Sequence, residues 1–312
     1  MSAPLVWLPF PIDDLPQGLR YEVADHADAA PTYLDEIEFY VMPYRFLADD
    51  SSLLSRMPKL RVVQTQTAGV EHLSGRIPAG ITLCNGRGIH SAATAELAVA
   101  LVLASLRGIP GFVRAQDRQE WLQRFYPSLA DKHVLIVGFG DIGAAIEARL
   151  LPFEVTLDKV ARTARGDVRA MADLPELVPQ ADIVILTVPL TADTRHLVDA
   201  KFLASMKDDA LLVNVARGGV VDTDALIAEL RTRRISAALD VTDPEPPPPG
   251  HALWTAPNLL LSPHVGGPTS AFRPRAERLI RQQLTRFAAG EPLQNVMDVT
   301  PVTTARTDEG PS

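Results

Sequence analysis

The chain has 312 residues, of which 46% are hydrophobic and 22% charged, and its 38 acidic and 30 basic residues give a formal net charge of −8. This length predicts about two domains, and this composition excludes a disordered chain. The acidic balance disfavours nucleic acid or an anionic membrane as a partner. The single cysteine, Cys84, excludes an intrachain disulfide framework and a Cys-based zinc cluster.

Three further features predict a soluble cytoplasmic protein without a metal. The longest strongly apolar run, Leu97 to Leu106, is roughly half as long as a membrane span requires. Met1 to Pro16 contains acidic residues but no basic stretch, which disfavours a secretory signal. A metal site is not expected, because six histidines share no spacing and accompany no carboxylate cluster: His26, His72, His90, His133, His196 and His251.

Short apolar runs alternate with helix-like segments from the first residues onward. Four strands are predicted in the first third of the chain: Leu5–Pro9, Phe39–Met42, Arg61–Thr65 and Ile81–Cys84. A helix is predicted at Asp49–Met57, and the Ala- and Leu-rich segment Thr94–Leu106 predicts a helix buried on most of its surface.

The middle of the chain repeats this alternation more clearly. Six strands are predicted: His133–Val137, Glu154–Val160, Asp182–Val188, Ala210–Val215, Ile235–Val241 and Asn258–Ser262. They are mostly apolar on both faces, as a parallel sheet covered by helices requires. Helices are predicted at Ile142–Leu150, Asp224–Arg233 and Pro274–Ala289. The alternation predicts an α/β protein with right-handed βαβ units and a doubly wound parallel sheet.

A glycine-rich turn lies between the predicted strand His133–Val137 and the helix that follows it. Gly138 permits the tight turn, Gly140 lets a pyrophosphate approach the backbone, and Gly143 lets the helix pack closely on the strand. The helix N-terminus adds N–H groups and partial positive charge. Inside a βαβ pattern, these glycines predict a dinucleotide-binding site rather than a merely structural turn.

The end of the next strand bears on the choice between NAD and NADP. An NAD site normally has Asp or Glu there, to bind the ribose 2′-hydroxyl. If the strand ends at Val160, the diagnostic position is Ala161, which has no carboxylate. Three residues that follow could instead hold a 2′-phosphate: Arg162, Thr163 and Arg165. NADP is therefore predicted in preference to NAD. Two alternatives stay open: that Asp158, inside the strand, binds the ribose, and that the arginines are solvated loop charges.

Three polar motifs follow predicted strands at their carboxyl ends, where ligands bind in open parallel sheets. Arg217 follows an apolar strand and precedes two glycines, which suits a guanidinium fork that grips a carboxylate. Glu245 shares a loop with Asp240, and His264 lies between a proline and a glycine pair. Each residue alone has an ordinary structural explanation. Together with the glycine turn they predict a catalytic site.

A 2-keto acid matches the chemistry of these groups. Its carboxylate would bind Arg217, and its carbonyl would receive a hydride from a nicotinamide while protonated His264 donates a proton to the carbonyl oxygen. Glu245, hydrogen-bonded to the other ring nitrogen, would favour the imidazolium and fix its orientation.

These motifs resemble the D-isomer-specific 2-hydroxyacid dehydrogenase family, and within it the glyoxylate/hydroxypyruvate reductases. The resemblance extends from about Gln64 to Thr269. It rests on seven segments: Gln64–His72, Asn85–Ser91, Gly138–Gly143, Val188–Thr191, Val213–Gly218, Asp240–Pro246 and Pro263–His264. The family's catalytic arginine, glutamate and histidine fall on Arg217, Glu245 and His264, in agreement with the chemistry above.

The resemblance implies further site residues. Backbone N–H groups of Ala68 and Gly69 would bind the substrate carboxylate together with Arg217 and His264, and Asp240 would hold the nicotinamide amide. The remaining cofactor contacts would come from the glycine turn and from later loops: Gly138, Phe139, Gly140, Asp141, Ile142, Gly143, Val188, Pro189, Thr194, Ala216 and Gly266.

The resemblance also implies a domain organisation and an assembly. Residues 98–284 would form a Rossmann-type dinucleotide-binding domain, and residues 1–97 and 285–312 a smaller, flavodoxin-like substrate domain, with hinges near Thr94–Leu106 and Pro274–Ala289. The family is usually dimeric, which implies a homodimer with an arm at Val113–Tyr126. Three residues that follow a strand of the small domain, with a role still to be assigned, are Tyr44, Arg45 and Phe46.

Two departures from the family pattern bear on function. The family usually has aspartate where this chain has Ala161, which supports NADP. Pro247 replaces a common leucine and would stiffen the loop that carries Glu245. We therefore expect NAD(P)H-dependent reduction of a small 2-keto acid to the D-2-hydroxy acid. The alternatives are an NAD-linked dehydrogenase for a bulkier or phosphorylated acid and, with less support, a dinucleotide-sensing protein resembling the corepressors that share this fold.

Overall fold

A computed structural model describes residues 3–24, 33–44 and 50–298 of the chain. The chain divides into two compact units, one formed by Met1–His90 and Ala271–Ser312 and the other by Ser91–Ser270. The boundaries expected from the sequence, 97/98 and 284/285, fall inside two helices. The units instead divide just before each of these helices, so that each helix belongs wholly to one unit.

The first unit contains a five-stranded sheet in which every pairing is parallel. Its strands are β1 Leu5–Leu8, β2 Arg20–Val23, β3 Ile37–Val41, β4 Val62–Gln64 and β5 Thr82–Cys84. The strand order β2-β1-β3-β4-β5 is that of flavodoxin-like sheets. The smaller parallel domain expected from the sequence is therefore confirmed.

The second unit contains a seven-stranded sheet that is also parallel throughout. Its strands are β6 His133–Val137, β7 Thr156–Ala161, β8 Arg169–Ala170, β9 Ile183–Leu186, β10 Leu211–Asn214, β11 Ser236–Leu239 and β12 Leu259–Leu261. The order β12-β11-β10-β9-β6-β7-β8 reverses direction between β6 and β9. This is the doubly wound Rossmann arrangement, in which ligands bind at the carboxyl ends of the strands beside the reversal.

Seven α-helices lie in the described residues: α1 Ser91–Leu106, α2 Ile109–Asp117, α3 Asp141–Leu150, α4 Leu174–Leu177, α5 Ala200–Ser205, α6 Thr223–Arg231 and α7 Phe272–Ala289. In the second unit they cover both faces of the sheet. Val134 and Ile136 of β6 pack in one cluster with residues of α1 and α3, whereas Leu135 and Val137 pack in another with residues of α5 and α6. This two-sided burial is why β6 is apolar at successive positions.

The apolar-run predictions locate ten of the strands to within a few residues, but they miss β2 and β8. Both missed strands lie at a sheet edge and carry exposed residues, so they lack the continuous apolar run that a central strand needs. Where a helix was expected over Asp49–Met57, the segment Asp50–Arg56 is a 3-10 helix, and Asp49 lies outside the described residues.

No single helix in the described part of the chain has both the length and the apolar composition to cross a membrane. The pair α1 and α2, bent by 63° at their junction, meets that criterion only when the two are taken together.

Candidate active site

The glycine-rich turn lies between β6 and α3, beside the point where the strand order of the second unit reverses. Gly138 has a φ of +103°, and a Cβ there would lie 2.7 Å from the backbone nitrogen of Val188, two residues after β9. A Cβ on Gly143 would lie 2.5 Å from the carbonyl oxygen of Gly138, so only glycine lets α3 approach the turn this closely. By contrast, a Cβ on Gly140 would meet nothing within 4 Å. Open space is therefore found at the glycine that was expected to face a pyrophosphate.

The residues around this open position fit a dinucleotide. Gly140 is the N-cap residue of α3 and offers no side chain to cap the helix. The first N–H groups of α3, beginning at Asp141 and Ile142, and the positive end of the helix dipole are suited to bind a pyrophosphate.

The loop after β9 forms the opposite border of the turn. Thr194 Oγ1 donates a hydrogen bond of 2.6 Å to the carbonyl oxygen of Pro189 and accepts one of 2.8 Å from the N–H of Thr191. The Thr194 hydroxyl therefore closes the loop on itself. Val188 is buried, and both its backbone nitrogen and its Cγ1 lie within 3 Å of the position that a Cβ on Gly138 would take.

Strand β7 ends at Ala161, the position at which an NAD-binding protein of this fold usually has a carboxylate. Asp158 is an internal residue of β7, and its Oδ2 lies 2.7 Å from Nε2 of His133, the first residue of β6. That pairing directs the Asp158 carboxylate toward the amino ends of the strands, away from the glycine turn. Three residues after β7 are exposed: Arg162, Thr163 and Arg165.

Arg217 lies in the loop that follows β10, and its backbone is fixed by Asn214 at the end of that strand. The Asn214 side chain donates a hydrogen bond of 3.0 Å to the carbonyl oxygen of Arg217 and accepts one of 3.0 Å from the N–H of Ala216. A Cβ on the next residue, Gly218, would lie 1.9 Å from the carbonyl oxygen of Thr242. The loop with Arg217 and the loop with Glu245 thus touch at a point where only glycine fits.

His264 and Glu245 form a direct pair, with 2.5 Å between Nδ1 of the ring and Oε1 of the carboxylate. The side chains are 37% and 39% exposed, so the pair remains open to solvent and to a ligand. Since Nδ1 is held by the carboxylate, Nε2 is the nitrogen that can exchange a proton with a substrate.

The charges around Glu245 favour its ionised form. Burial by itself raises the pKa of this carboxyl group, but the hydrogen bond and positive charge of His264 outweigh it, with help from the N–H of Thr242 and the charge of Arg217. The pKa of Glu245 is therefore lowered from its ordinary value of 4.5. The carboxylate is charged near neutral pH and can stabilise an imidazolium.

Asp240 organises the loop that carries His264. Its carboxylate accepts hydrogen bonds from the hydroxyl of Ser262 at 2.6 Å and from the N–H groups of Val265 and Gly266, both at 2.9 Å. The N–H of His264 also donates to the Asp240 backbone oxygen at 2.8 Å. These contacts show Asp240 supporting the histidine loop, while its predicted contact with the nicotinamide amide stays a prediction.

The other predicted residues belong to the first unit. The carbonyl oxygens of Ala68 and Gly69 accept hydrogen bonds from Asn85 Nδ2 at 2.7 Å and from Thr67 Oγ1 at 2.9 Å. The role of the Ala68 and Gly69 amides in substrate binding stays a prediction. The ring of Tyr44 lies 5.2 Å from that of His90 and 4.6 Å from that of Phe272.

Arg45 and Phe46 lie outside the described residues. Among the described residues, no group of three His, Cys, Asp or Glu side chains could hold a metal ion.

Sequence reasoning assigned no role to three residues that shape the site. Asn214 and Ser262 fix the loops of Arg217 and His264, and Gly218 lets two loops meet. A signal was present in each case, because Asn214 ends an apolar strand, Ser262 follows one, and Gly218 adjoins the candidate arginine.

Comparisons with known proteins identify the family of this chain. The family model described as D-isomer specific 2-hydroxyacid dehydrogenase, NAD binding domain, matches residues 99–266. Glyoxylate reductase of Thermofilum pendens is 36% identical over 259 residues, which cover 78% of this chain and 76% of the relative. Glyoxylate reductase of Thermococcus litoralis is 33% identical over 301 residues, which cover 91% and 87%. The chain belongs to the D-isomer specific 2-hydroxyacid dehydrogenase family.

Solved structures of the family extend the likeness to almost the whole chain. A D-isomer specific 2-hydroxyacid dehydrogenase from Xanthobacter autotrophicus, in complex with NADPH and MES, is 29% identical, has a TM-score of 0.79, and is matched over 96% of this chain and 98% of its own. An NADPH-dependent glyoxylate/hydroxypyruvate reductase from Sinorhizobium meliloti, in complex with NADP and malonate, is 26% identical with a TM-score of 0.75 and coverages of 96% and 98%.

These findings confirm the resemblance and the fold class that the sequence predicted. The protein is an NAD(P)-dependent oxidoreductase whose cofactor is NADP or NAD, and its family acts on small 2-hydroxy and 2-keto acids.

Proposed function

We propose that this dehydrogenase reduces a small 2-keto acid of the glyoxylate/hydroxypyruvate class to the D-2-hydroxy acid, with NADPH as the preferred reductant. The pairing of His264 with Glu245, at 2.5 Å and within the electrostatic reach of Arg217, carries the proposal. This combination provides a proton donor, a carboxylate that holds the donor's other ring nitrogen, and a cation for an anionic substrate.

The roles of the three side chains follow from their charges. Arg217 binds the substrate carboxylate through its guanidinium fork. His264 donates the proton on Nε2 to the carbonyl oxygen during reduction and takes it back in the reverse direction. Glu245 holds Nδ1 and stabilises the imidazolium. A bound nicotinamide would supply the hydride to the carbonyl carbon.

The relatives support a small substrate. The two curated relatives described above are named glyoxylate reductase, and a structural neighbour is named as a reductase of glyoxylate and hydroxypyruvate. Glyoxylate and hydroxypyruvate each offer one carboxylate for Arg217 and one adjacent carbonyl for His264.

The end of β7 supports NADPH. Ala161 offers no carboxylate to the ribose 2′-hydroxyl, and Asp158 is engaged with His133. Arg162 and Arg165 follow β7 as exposed cations that can bind a 2′-phosphate. The structural neighbours from Xanthobacter autotrophicus and Sinorhizobium meliloti were crystallised with NADPH and NADP.

The experiment that tests the proposal compares initial rates of NADPH and NADH oxidation with glyoxylate, hydroxypyruvate, pyruvate and a branched 2-keto acid. The expected result is turnover with NADPH favoured and with the highest kcat/KM for one of the first two acids. Preference for NADH would contradict the cofactor assignment, and preference for the branched acid would contradict the substrate class. Nucleotide binding without turnover of any acid would favour a sensing role.

Replacement of Arg162 tests the 2′-phosphate assignment. The variant Arg162→Ala should raise KM for NADPH by roughly 10- to 100-fold, because it removes a charged hydrogen bond to phosphate. KM for NADH should change little, since NADH has no 2′-phosphate. Steady-state kinetics with both cofactors measure the two values, and an equal rise in both would remove Arg162 from the phosphate site.

We also propose that the protein is a homodimer that associates through residues 113–126. This segment holds several exposed apolar side chains in the second unit, including the nearly fully exposed Trp121 and Phe125. Exposed aromatic residues concentrated in one segment are typical of an interaction surface. Light scattering should give a dimer for the wild type and a monomer for the double variant Trp121→Glu/Phe125→Glu. A monomeric wild type would contradict the proposal.

A further inference from the structure

Lys159 is a charged residue in a place where strands are usually apolar. It lies in β7, two positions before the strand ends, and its side chain is only 10% exposed. Its ammonium group donates a hydrogen bond of 2.7 Å to Glu147 Oε1 of α3 and a second one to Asp167. A buried cation of this kind is retained at a desolvation cost, so its partners identify what it holds together.

The Asp167 partner belongs to the loop that carries the candidate phosphate-binding arginines. Residues 165–168 form a tight turn, in which the N–H of Arg165 donates to the oxygen of Val168 at 3.0 Å and the N–H of Val168 donates back at 2.9 Å. Gly166, at a φ of +55°, lies within this turn. The bond from Lys159 to Asp167 therefore fastens the turn to strand β7.

Two contacts with Phe139 connect this network to the glycine turn, one from the loop and one from strand β7. The Arg165 guanidinium donates a hydrogen bond of 2.5 Å to the Phe139 carbonyl oxygen. The ammonium group of Lys159 lies 5.1 Å from the centre of the Phe139 ring, within range of a cation–π interaction. Lys159 thus joins three elements: the glycine turn, helix α3 and the arginine loop.

We propose that Lys159, through Asp167 and Glu147, is a positioning residue for recognition of the cofactor's 2′-phosphate. The network holds the arginine loop in place before the nucleotide binds, which lowers the ordering cost of binding. It also neutralises Asp167, a carboxylate that would otherwise repel a phosphate beside Arg165. This inference rests on the proposed NADPH preference.

Asp167 affects phosphate binding in two opposite ways, since its charge repels the phosphate whereas its bond to Lys159 anchors the loop. This opposition makes the inference testable. If charge alone mattered, Asp167→Asn would remove a negative charge near the phosphate and tighten its binding. If Asp167 anchors the loop, the same change weakens binding. We expect weakening, because the anchoring bond to the Lys159 ammonium is lost.

The experiment measures the affinities of adenosine 2′,5′-bisphosphate and of AMP by titration calorimetry. The first probe carries the 2′-phosphate and the second lacks it. Lys159→Met and Asp167→Asn should each raise the Kd of the bisphosphate by roughly tenfold, the size typical of coupling within one hydrogen-bonded network. The Kd of AMP and kcat at saturating NADPH should stay unchanged. In the double variant, the Kd of the bisphosphate should rise by less than the product of the two single-variant increases.

Two variants serve as controls. Lys207→Met removes a lysine that lies 3.1 Å from the Asp182 carboxylate, in loops that precede β9 and β10. It should leave both Kd values unchanged. Because the Asp167 side chain is 79% exposed, Asp167→Asn keeps the test valid if Lys159→Met does not fold.

The outcomes separate this inference from the proposal on which it rests. If the wild type binds the bisphosphate no more tightly than AMP, the 2′-phosphate assignment itself fails. If the wild type binds the bisphosphate more tightly than AMP and Arg162→Ala loses that difference, the assignment of the 2′-phosphate site is supported. In that case, unchanged or tighter bisphosphate binding by Asp167→Asn, or an equal loss for both probes, would overturn the role of Lys159.

Discussion

Replacement of His264 by asparagine should lower kcat for 2-keto acid reduction by roughly 10²- to 10⁴-fold, the range typical of losing a general acid. Asparagine can still accept or donate a hydrogen bond near Glu245 but cannot deliver a proton at neutral pH. The Kd of NADPH, measured by the change in its fluorescence on binding, should remain unchanged. Single-turnover kinetics would locate the loss in the chemical step.

A second histidine of the same unit provides a matched control. His251 caps the short helix Ala252–Thr255, with its Nδ1 accepting a hydrogen bond of 3.3 Å from the N–H of Leu253. His251→Asn keeps a good capping residue and should leave kcat unchanged. A kcat for His264→Asn within about threefold of the wild type would be incompatible with general acid catalysis by this residue.

Glu245 sets the pH range in which this pair can operate. Because its pKa is lowered in the folded protein, its charge supports the pair above the ordinary value of 4.5, and the support is lost as pH falls through the lowered pKa. Any acidic loss of activity that arises from Glu245 should therefore lie below 4.5. Glu245→Gln should remove that dependence and lower kcat at neutral pH, by less than His264→Asn does.

Most of the fold could be predicted because its strands are buried on both faces. Strand β6 was located at the observed residues, since five consecutive apolar-rich positions precede a glycine turn. The edge strand β2 was missed because Arg20 and Val23 at its ends are exposed. Apolar runs in a sequence indicate strands that are buried, and edge strands are less buried than central ones.

The candidate site was predictable to the extent that its residues follow strand ends. Arg217, Glu245 and His264 each come after a strand of one parallel sheet, so topology alone places them at one edge. The hydrogen bonds of Asp240 to the loop of Ser262 and Gly266 could not be predicted, because they join residues more than 20 positions apart. Such contacts depend on side-chain directions in the folded sheet.

The sequence alone did not determine where strand β7 ends before the cofactor loop. The sequence left Asp158 and Ala161 as competing positions for the residue next to the ribose. The structure ends β7 at Ala161 and pairs Asp158 with His133. The exact residue at which β7 ends therefore determines which side chain lies at the carboxyl edge of the sheet, where ligands bind.

Arg217→Ala should lower kcat/KM for a 2-keto acid by roughly 30- to 4,000-fold, which corresponds to about 2–5 kcal/mol for truncating one partner of a charged pair. The Asn214 side chain makes two hydrogen bonds to the backbone of this loop, whereas the arginine adds one, from Nη1 to the Ala216 carbonyl oxygen at 2.7 Å, so the fold should survive its loss. Arg217→Lys should restore only part of the activity, because an ammonium group cannot form the two parallel hydrogen bonds of a guanidinium.

A neutral substrate separates a substrate-binding role from a structural one. Wild-type enzyme should reduce pyruvate with a higher kcat/KM than methyl pyruvate, whose ester carries no charge, and Arg217→Ala should largely abolish that difference. Arg231→Ala, at an exposed residue of α6 in the same unit, is the matched control and should behave as the wild type. An equal loss for acid and ester would show that Arg217 acts on the loop structure, whereas a loss confined to the acid places the guanidinium on the substrate carboxylate.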